Sequence, residues 1–347
     1  MSNNKPNFPE GFKCHDKRPH GSSIYMLPAN DEVENDRLVD QHYVYKSVFT
    51  FPTVHDGISR YFSPLMTVPT EPSTHRNILG GNFIASIDDA LEEGISVLDA
   101  GCGAGVWCVD MATDYPASTF VGIDNADVLL RTDLPPNCEF RLADTLEGLP
   151  FEDDTFDYVF QRYVKDTSSR PLVCRKFQND DQQIPHFNFE DLFRLMTLAF
   201  KTTDWQKVVN ELVRVTKPGG YIELIEGQLK FEEMPPSYRK FYNALAEASL
   251  ARGIELTVGS NLNSFLASAG MCDITSDYVS CPLGWGGRIG QICLQNAVKG
   301  IHALQPALAH LISDSDYEEI FAKITEEAKV CRTWSRVNYA FGMKPTK

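Results

Sequence analysis

Basic residues are scarce in this chain. Of 347 residues, 32 are Lys or Arg against 47 Asp or Glu, a formal charge of −15. That balance argues against broad nucleic-acid binding or attachment to an anionic membrane, both of which need clustered Lys and Arg. Long apolar runs are missing too, so no segment reads as a membrane span, and the first residues lack the pattern of a signal peptide. The nine cysteines include no Cys-x-x-Cys pair. Odd in number and scattered, they read as reduced thiols, not as a disulfide frame or a zinc site. No metal is expected, and the compartment read from this is cytoplasmic, with the nucleus as the alternative. Repeats and low-complexity tracts are absent. At this length the chain can bury a sizeable core.

What the chain does have is Val97-Leu98-Asp99-Ala100-Gly101-Cys102-Gly103-Ala104-Gly105-Val106-Trp107. A short apolar run (Ile95, Val97, Leu98) reads as a buried strand ending in an acid. Three glycines follow at alternate positions, then Val106, Trp107, Val109, Met111 and Ala112 fit a helix packed on a sheet. Strand, glycine turn and helix together make the nucleotide-type site of a doubly wound fold. A dinucleotide fingerprint would place glycine at Val106, and this chain does not. A carboxylate at Asp99 repels a pyrophosphate but pairs with a positively charged amino-acid group. S-adenosylmethionine (AdoMet) carries such a group and no phosphate. These two details oppose a nicotinamide dehydrogenase on a similar fold.

Two further acids strengthen the reading. Thr119 to Asp124 reads as a second strand ending in a carboxylate that can accept hydrogen bonds from both ribose hydroxyls. Cys138 to Leu142 reads as a third strand leading to Asp144, placed to accept from an adenine amino group. The three acids lie 25 and then 20 residues apart. Phe156 to Arg162 reads as the fourth strand, with Gln161 and Arg162 either bordering a cavity at its carboxyl end or plain surface residues. The chain contains no Asn/Asp-Pro-Pro-Tyr, which disfavours methylation of DNA adenine or glutamine.

Elsewhere residues 1–24 read as a flexible tail, with Lys13, Lys17 and Arg18 solvated. Residues 25–94 read as an N-terminal helical cap: a helix after Asp31 and Glu34 carrying Leu38, His42 and Tyr45, then a proline-punctuated loop, then a helix from Asn82 to Glu93 ended by Gly94. The cofactor-binding core is 95–227, interrupted at 166–200 by a surface insertion, with a substrate lid as the alternative. Within it Thr203 and Gln206 have capping-box spacing before a helix, and Lys217-Pro218-Gly219-Gly220 reads as the turn into a fifth strand ending at Glu226. Residues 228–347 complete the sheet. Thr275 to Cys281 and Trp334 to Met343 read as strands six and seven, separated by a helical cap over about 289–330.

These motifs resemble class I AdoMet-dependent methyltransferases. The resemblance rests on Val97–Trp107, Val121–Asp124, Ala143–Phe151 with Asp153–Val159, and Arg214–Glu226. More narrowly, Tyr25-Met26-Leu27-Pro28-Ala29-Asn30-Asp31-Glu32, Asp36-Arg37-Leu38, Gln41-His42 and Pro282-Leu283-Gly284-Trp285 resemble the fungal LaeA-like methyltransferases of secondary metabolism. The resemblance implies an α/β Rossmann-like fold with a seven-stranded sheet, last strand antiparallel. It implies Asp99, Gly101 and Gly103 around the methionine end, Asp124 on the ribose and Asp144 near the adenine. The neighbouring Cys102, Asn125, Thr145 and Gln161 complete the expected cofactor set. The insertion at 166–200 is longer than the family's usual link, and the low-complexity N-terminal extension of the family's nuclear regulators is missing.

The expected activity is methyl transfer from AdoMet to a small-molecule acceptor, with Tyr25, Tyr43, Arg162 and Trp285 as candidate pocket residues. His42 is the candidate general base, because the matching family segment folds over the donor. The alternative is an AdoMet-binding regulator acting through a protein partner.

Overall fold

The computed structural model describes residues 9–13, 82–103, 105–125, 134–162 and 200–346. Among them, seven strands form one sheet in the order β3-β2-β1-β4-β5-β7-β6. They are β1 (Ser96–Ala100), β2 (Thr119–Asp124), β3 (Cys138–Leu142), β4 (Phe156–Arg162), β5 (Thr216–Gly227), β6 (Cys272–Pro282) and β7 (Trp334–Met343). The first five pair in parallel. β7 runs antiparallel to both β5 and β6. This is the implied sheet, and the carboxyl ends of its parallel strands share one edge, where such folds bind ligands.

The central strands are apolar on both faces because helices cover both sides. One face carries Val97, Phe120, Tyr158, Phe160 and Ile225, packed with Trp107 and Met111 of α2 (Val106–Asp114) and Leu91 of α1 (Asp88–Glu93). The other carries Leu98, Ala100, Ile123, Val159, Ile222 and Leu224 under α3 (Trp205–Val215) and α5 (Leu262–Ser268). α4 (Pro236–Leu250), α6 (Arg288–Leu308) and α7 (Asp314–Cys331) join the first cluster. The last two separate β6 from β7, as the periodicity suggests. Ser313 and Asp316 form the capping box that starts α7.

Four local expectations are corrected. The helix expected from Asn82 begins only at Asp88, because the Ile84 and Ala85 N–H groups donate to the Glu223 side chain instead of entering a helical ladder. Thr203 and Gln206 form no capping box. α3 starts at Trp205 without a side-chain cap, and the Gln206 amide reaches the carbonyl of Phe265 on α5. Tertiary contact outcompetes the local one.

Lys217-Pro218-Gly219-Gly220 does not stand outside the strand. It lies within β5 as an irregularity, where pairing to β4 jumps from Phe156↔Thr216 to Tyr158↔Tyr221. Gly219 N–H and the Gly220 carbonyl pair with Lys344, so the extra residues keep their hydrogen bonds.

Finally, part of the expected flexible tail is packed. Phe12 sits 5.0 Å from Trp285 and 5.5 Å from Trp334, ring centroid to ring centroid. Ser280 N–H donates to the Lys13 carbonyl, and Lys13 pairs with Asp277. Residues 9–13 thus line the outer edge of β6. The expected helix bearing Leu38, His42 and Tyr45, and the insertion apart from Phe200, lie outside the described residues.

Candidate active site

The glycine loop leaves β1 at its carboxyl end. Gly101, Gly103 and Gly105 all have positive φ, at 75°, 59° and 83°. Gly105 precedes α2 in left-handed geometry, and a Cβ there would lie 2.2 Å from the Phe140 ring. Only glycine meets both demands.

The loop's N–H groups are turned inward. Those of Gly101 and Cys102 both donate to the Ile123 carbonyl at 2.8 Å, and that of Gly105 to the Cys102 carbonyl at 2.9 Å. Gly103 N–H donates to Asp124 Oδ2 at 2.9 Å. A phosphate-binding turn presents such groups to its anion. These four are already engaged within the protein, which disfavours a pyrophosphate ligand and suits a phosphate-free one.

Carboxylates gather at this edge. Asp124 is buried at the end of β2, and its carbonyl accepts from Ala143 N–H, which draws the Asp144 turn alongside. Asn125 Nδ2 contacts Asp144 Oδ2 at 3.5 Å, and Leu146 N–H donates to Asp144 Oδ1 at 2.8 Å. Asn125 Oδ1 is buried without a hydrogen-bond partner, and Thr145 is buried beside it. The structure therefore brings together Asp124, Asn125, Asp144 and Thr145, and joins them to the loop carrying Gly101, Cys102 and Gly103.

Asp99 is 3% exposed and in register with Phe160 of β4. Burial lifts its carboxyl to about 7; the Arg162 guanidinium and the Cys108 thiol oppose the rise and Asp124 adds to it. Arg162 and Gln161 point to opposite faces by strand alternation. Arg162 shares the Asp99 face, its guanidinium 5.6 Å from the Phe160 ring. Gln161 is buried between Ala100 and Leu224 in the register.

Sequence reasoning missed Glu223. It is in register with Phe160 from the other side, so Asp99 and Glu223 flank the same β4 residue. Fully buried, its carboxylate accepts from Ile84 N–H at 3.0 and 2.9 Å, Ala85 N–H at 2.7 Å and the Tyr158 hydroxyl at 3.0 Å. Burial pushes its carboxyl up to about 7, opposed by these donors and by Arg162. Alternation alone puts an acid on the apolar face of β5, and that was the available signal.

Trp285 stands beyond β6, three strands from β4. Its ring meets Phe12 and the Arg332 guanidinium, and its indole N–H donates to the Thr333 carbonyl. The structure does not bring it to the carboxylates. Tyr25, His42 and Tyr43 lie outside the described residues. No group of His, Cys, Asp and Glu among the described residues could hold a metal ion, and no described helix is long and apolar enough to cross a membrane.

As a donor and acceptor set, this edge suits AdoMet: acidic acceptors for hydroxyl and ammonium groups, an unpartnered amide oxygen beside Asp144, and the N–H groups of Gly101, Cys102, Gly103 and Gly105 already engaged within the protein. Comparison with known proteins agrees. Residues 91–251 match the family model described as a methyltransferase domain. The chain is 25% identical over 268 residues to the N-methyltransferase gliN of Aspergillus fumigatus, covering 72% of this chain and 83% of that one. It is 23% identical over 278 residues to the N-methyltransferase sirN of Leptosphaeria maculans, covering 76% and 86%. It is 30% identical over 157 residues to the secondary metabolism regulator laeA of Aspergillus fumisynnematus, covering 44% of this chain and 33% of that one. Fold and relatives converge: residues 91–251 are similar to a methyltransferase domain, whose cofactor is AdoMet.

Proposed function

We propose that this enzyme methylates a small molecule of secondary metabolism, with Asp124 holding the ribose hydroxyls, Asp144 and Asn125 facing the adenine, and Asp99 with Gly101, Cys102 and Gly103 around the methionine end. The carrying observation is the inward-turned glycine loop bound to the Asp124 carboxylate. Thr145 and Gln161 close the flanks of this site. Bound AdoMet supplies a methyl group already activated by a sulfonium. The protein's share is to align an acceptor with it and exclude water. A base is needed only for an acceptor protonated at working pH, and His42 is the candidate for that step. Tyr25 and Arg162 are the candidates for the acceptor pocket.

Two of the relatives covered over most of their length are N-methyltransferases, so amines lead the acceptor screen. The test is calorimetry with AdoMet and S-adenosylhomocysteine, with NAD as control, followed by mass spectrometry of an amine panel. Micromolar binding of the first two, no binding of NAD, and a mass gain of one methylene on an acceptor support the reading. Similarity to a secondary metabolism regulator favours one second reading, a regulator acting through a protein partner. In that case S-adenosylhomocysteine does not build up when AdoMet and cell extract are supplied.

A further inference from the structure

The segment Asn82–Ala85 is pinned at both ends. At one end the Asn82 carbonyl accepts the Trp107 indole N–H at 2.7 Å. Trp107 lies in the first turn of α2, directly after the glycine loop, and its ring stacks on Phe160 at 4.1 Å and 9°. At the other end the N–H groups of Ile84 and Ala85 are held by Glu223, which also takes the Tyr158 hydroxyl. The segment therefore bridges α2 and β5 over the sheet face where Asp99, Phe160 and Glu223 stand side by side.

Asn82 is 6% exposed, and its Oδ1 has no hydrogen-bond partner. Buried amide oxygens are nearly always satisfied. One left open beside the glycine loop, on the Asp99 face, is an acceptor suited to an incoming donor.

We propose that Asn82 is a further cofactor-contacting residue, its Oδ1 accepting a hydrogen bond from the ammonium of AdoMet's amino-acid end, and that Glu223 is the positioning residue that holds Asn82 there. Asp99 supplies negative charge to that ammonium, and Asn82 a neutral acceptor. The proposal rests on the AdoMet reading above and names a contact that lies outside the glycine motif.

The test uses two ligands that share the nucleoside and sulfur. S-adenosylhomocysteine has the amino-acid end, and 5′-methylthioadenosine lacks it. Both are titrated into the full chain and its variants, with thermal unfolding as the folding control. Asn82→Ala should weaken S-adenosylhomocysteine by about tenfold, the scale of one hydrogen bond to a charged donor, and leave 5′-methylthioadenosine unchanged. Asn82→Asp keeps the oxygen and should keep the affinity. Glu223→Ala should reproduce the Asn82→Ala pattern, while Glu223→Gln, which keeps an acceptor for Ala85 N–H and the Tyr158 hydroxyl, should stay close to the parent. Parallel weakening of both ligands in Asn82→Ala would reduce Asn82 to a structural role, and no change in either would remove it from the site. A parent chain that bound neither ligand would overturn the cofactor reading itself, and the proposal with it.

Discussion

Asp124 and Gly103 are joined by a 2.9 Å hydrogen bond from the Gly103 N–H to Asp124 Oδ2. One carboxylate thereby sets the shape of the glycine loop and, in the proposed site, holds the ribose. Asp124→Ala should weaken AdoMet and S-adenosylhomocysteine by about 1.5–3 kcal/mol, the range for hydrogen bonds to a charged acceptor. Calorimetry on the variant checks it. Unchanged affinity would move the ribose away from the end of β2.

Two buried carboxyls near 7 give stability a pH dependence. Asp99 and Glu223 are each raised to about 7 from 3.8 and 4.5. The folded state therefore binds more protons than the unfolded one between those limits. Their contribution is fully present below about pH 4 and is lost as pH rises through 7, on the order of a few kcal/mol in all. Among the described residues, the charged or titratable groups around Asp99 are Arg162, Cys108, Asp124 and Tyr158; those around Glu223 are Tyr158, Arg162 and Tyr339. Glu211 is shifted the other way, its carboxyl held below the ordinary value by the hydrogen bond from Arg214. Urea midpoints at pH 5 and pH 8 should show the fall, and Asp99→Asn with Glu223→Gln should flatten it.

Ligand binding should release protons. A cationic amino-acid end beside Asp99 favours the ionised carboxylate, so AdoMet affinity should rise with pH between about 6 and 8. Below pH 7, calorimetry in two buffers of different ionisation heat should report a fraction of a proton released per site. A pH-independent affinity would place the ammonium away from Asp99.

Gly105→Ala should cost more than about 2 kcal/mol, combining left-handed strain with a clash. The new methyl would meet the Phe140 ring at 2.2 Å. Adding Phe140→Ala removes the ring but not the strain, so the double variant should recover part of the loss beyond additivity. Chemical unfolding of the four proteins in the cycle measures it.

The expected bounds of β2, β3, β4 and β7 match the observed ones, because each is an apolar run or an apolar–polar alternation closed by polar or turn residues. The acids Asp99, Asp124 and Asp144 were visible for the same reason: strand ends are local features. Glu223 was not, since its partners Ile84 and Ala85 lie 139 and 138 positions away and nothing in Tyr221–Glu226 hints at them. The same long-range bonds explain the shortened α1. Phe12 escaped notice because its cover, Trp285 and Trp334, comes from the far end of the chain. Pro218-Gly219-Gly220 carries every local mark of a turn, yet pairing with Lys344 holds it in the sheet.

The docking of residues 9–13 on β6 has a bearing on how copies of this protein meet. β6 is the last strand of the sheet, and a bare last strand is a template for recruiting a neighbour's strand, the route to edge-to-edge aggregation. Here the chain covers part of that template itself: Ser280 N–H is taken by the Lys13 carbonyl, and Phe12 packs against the rings of Trp285 and Trp334. Without those five residues the Ser280 N–H would stand open to a neighbouring chain's carbonyl.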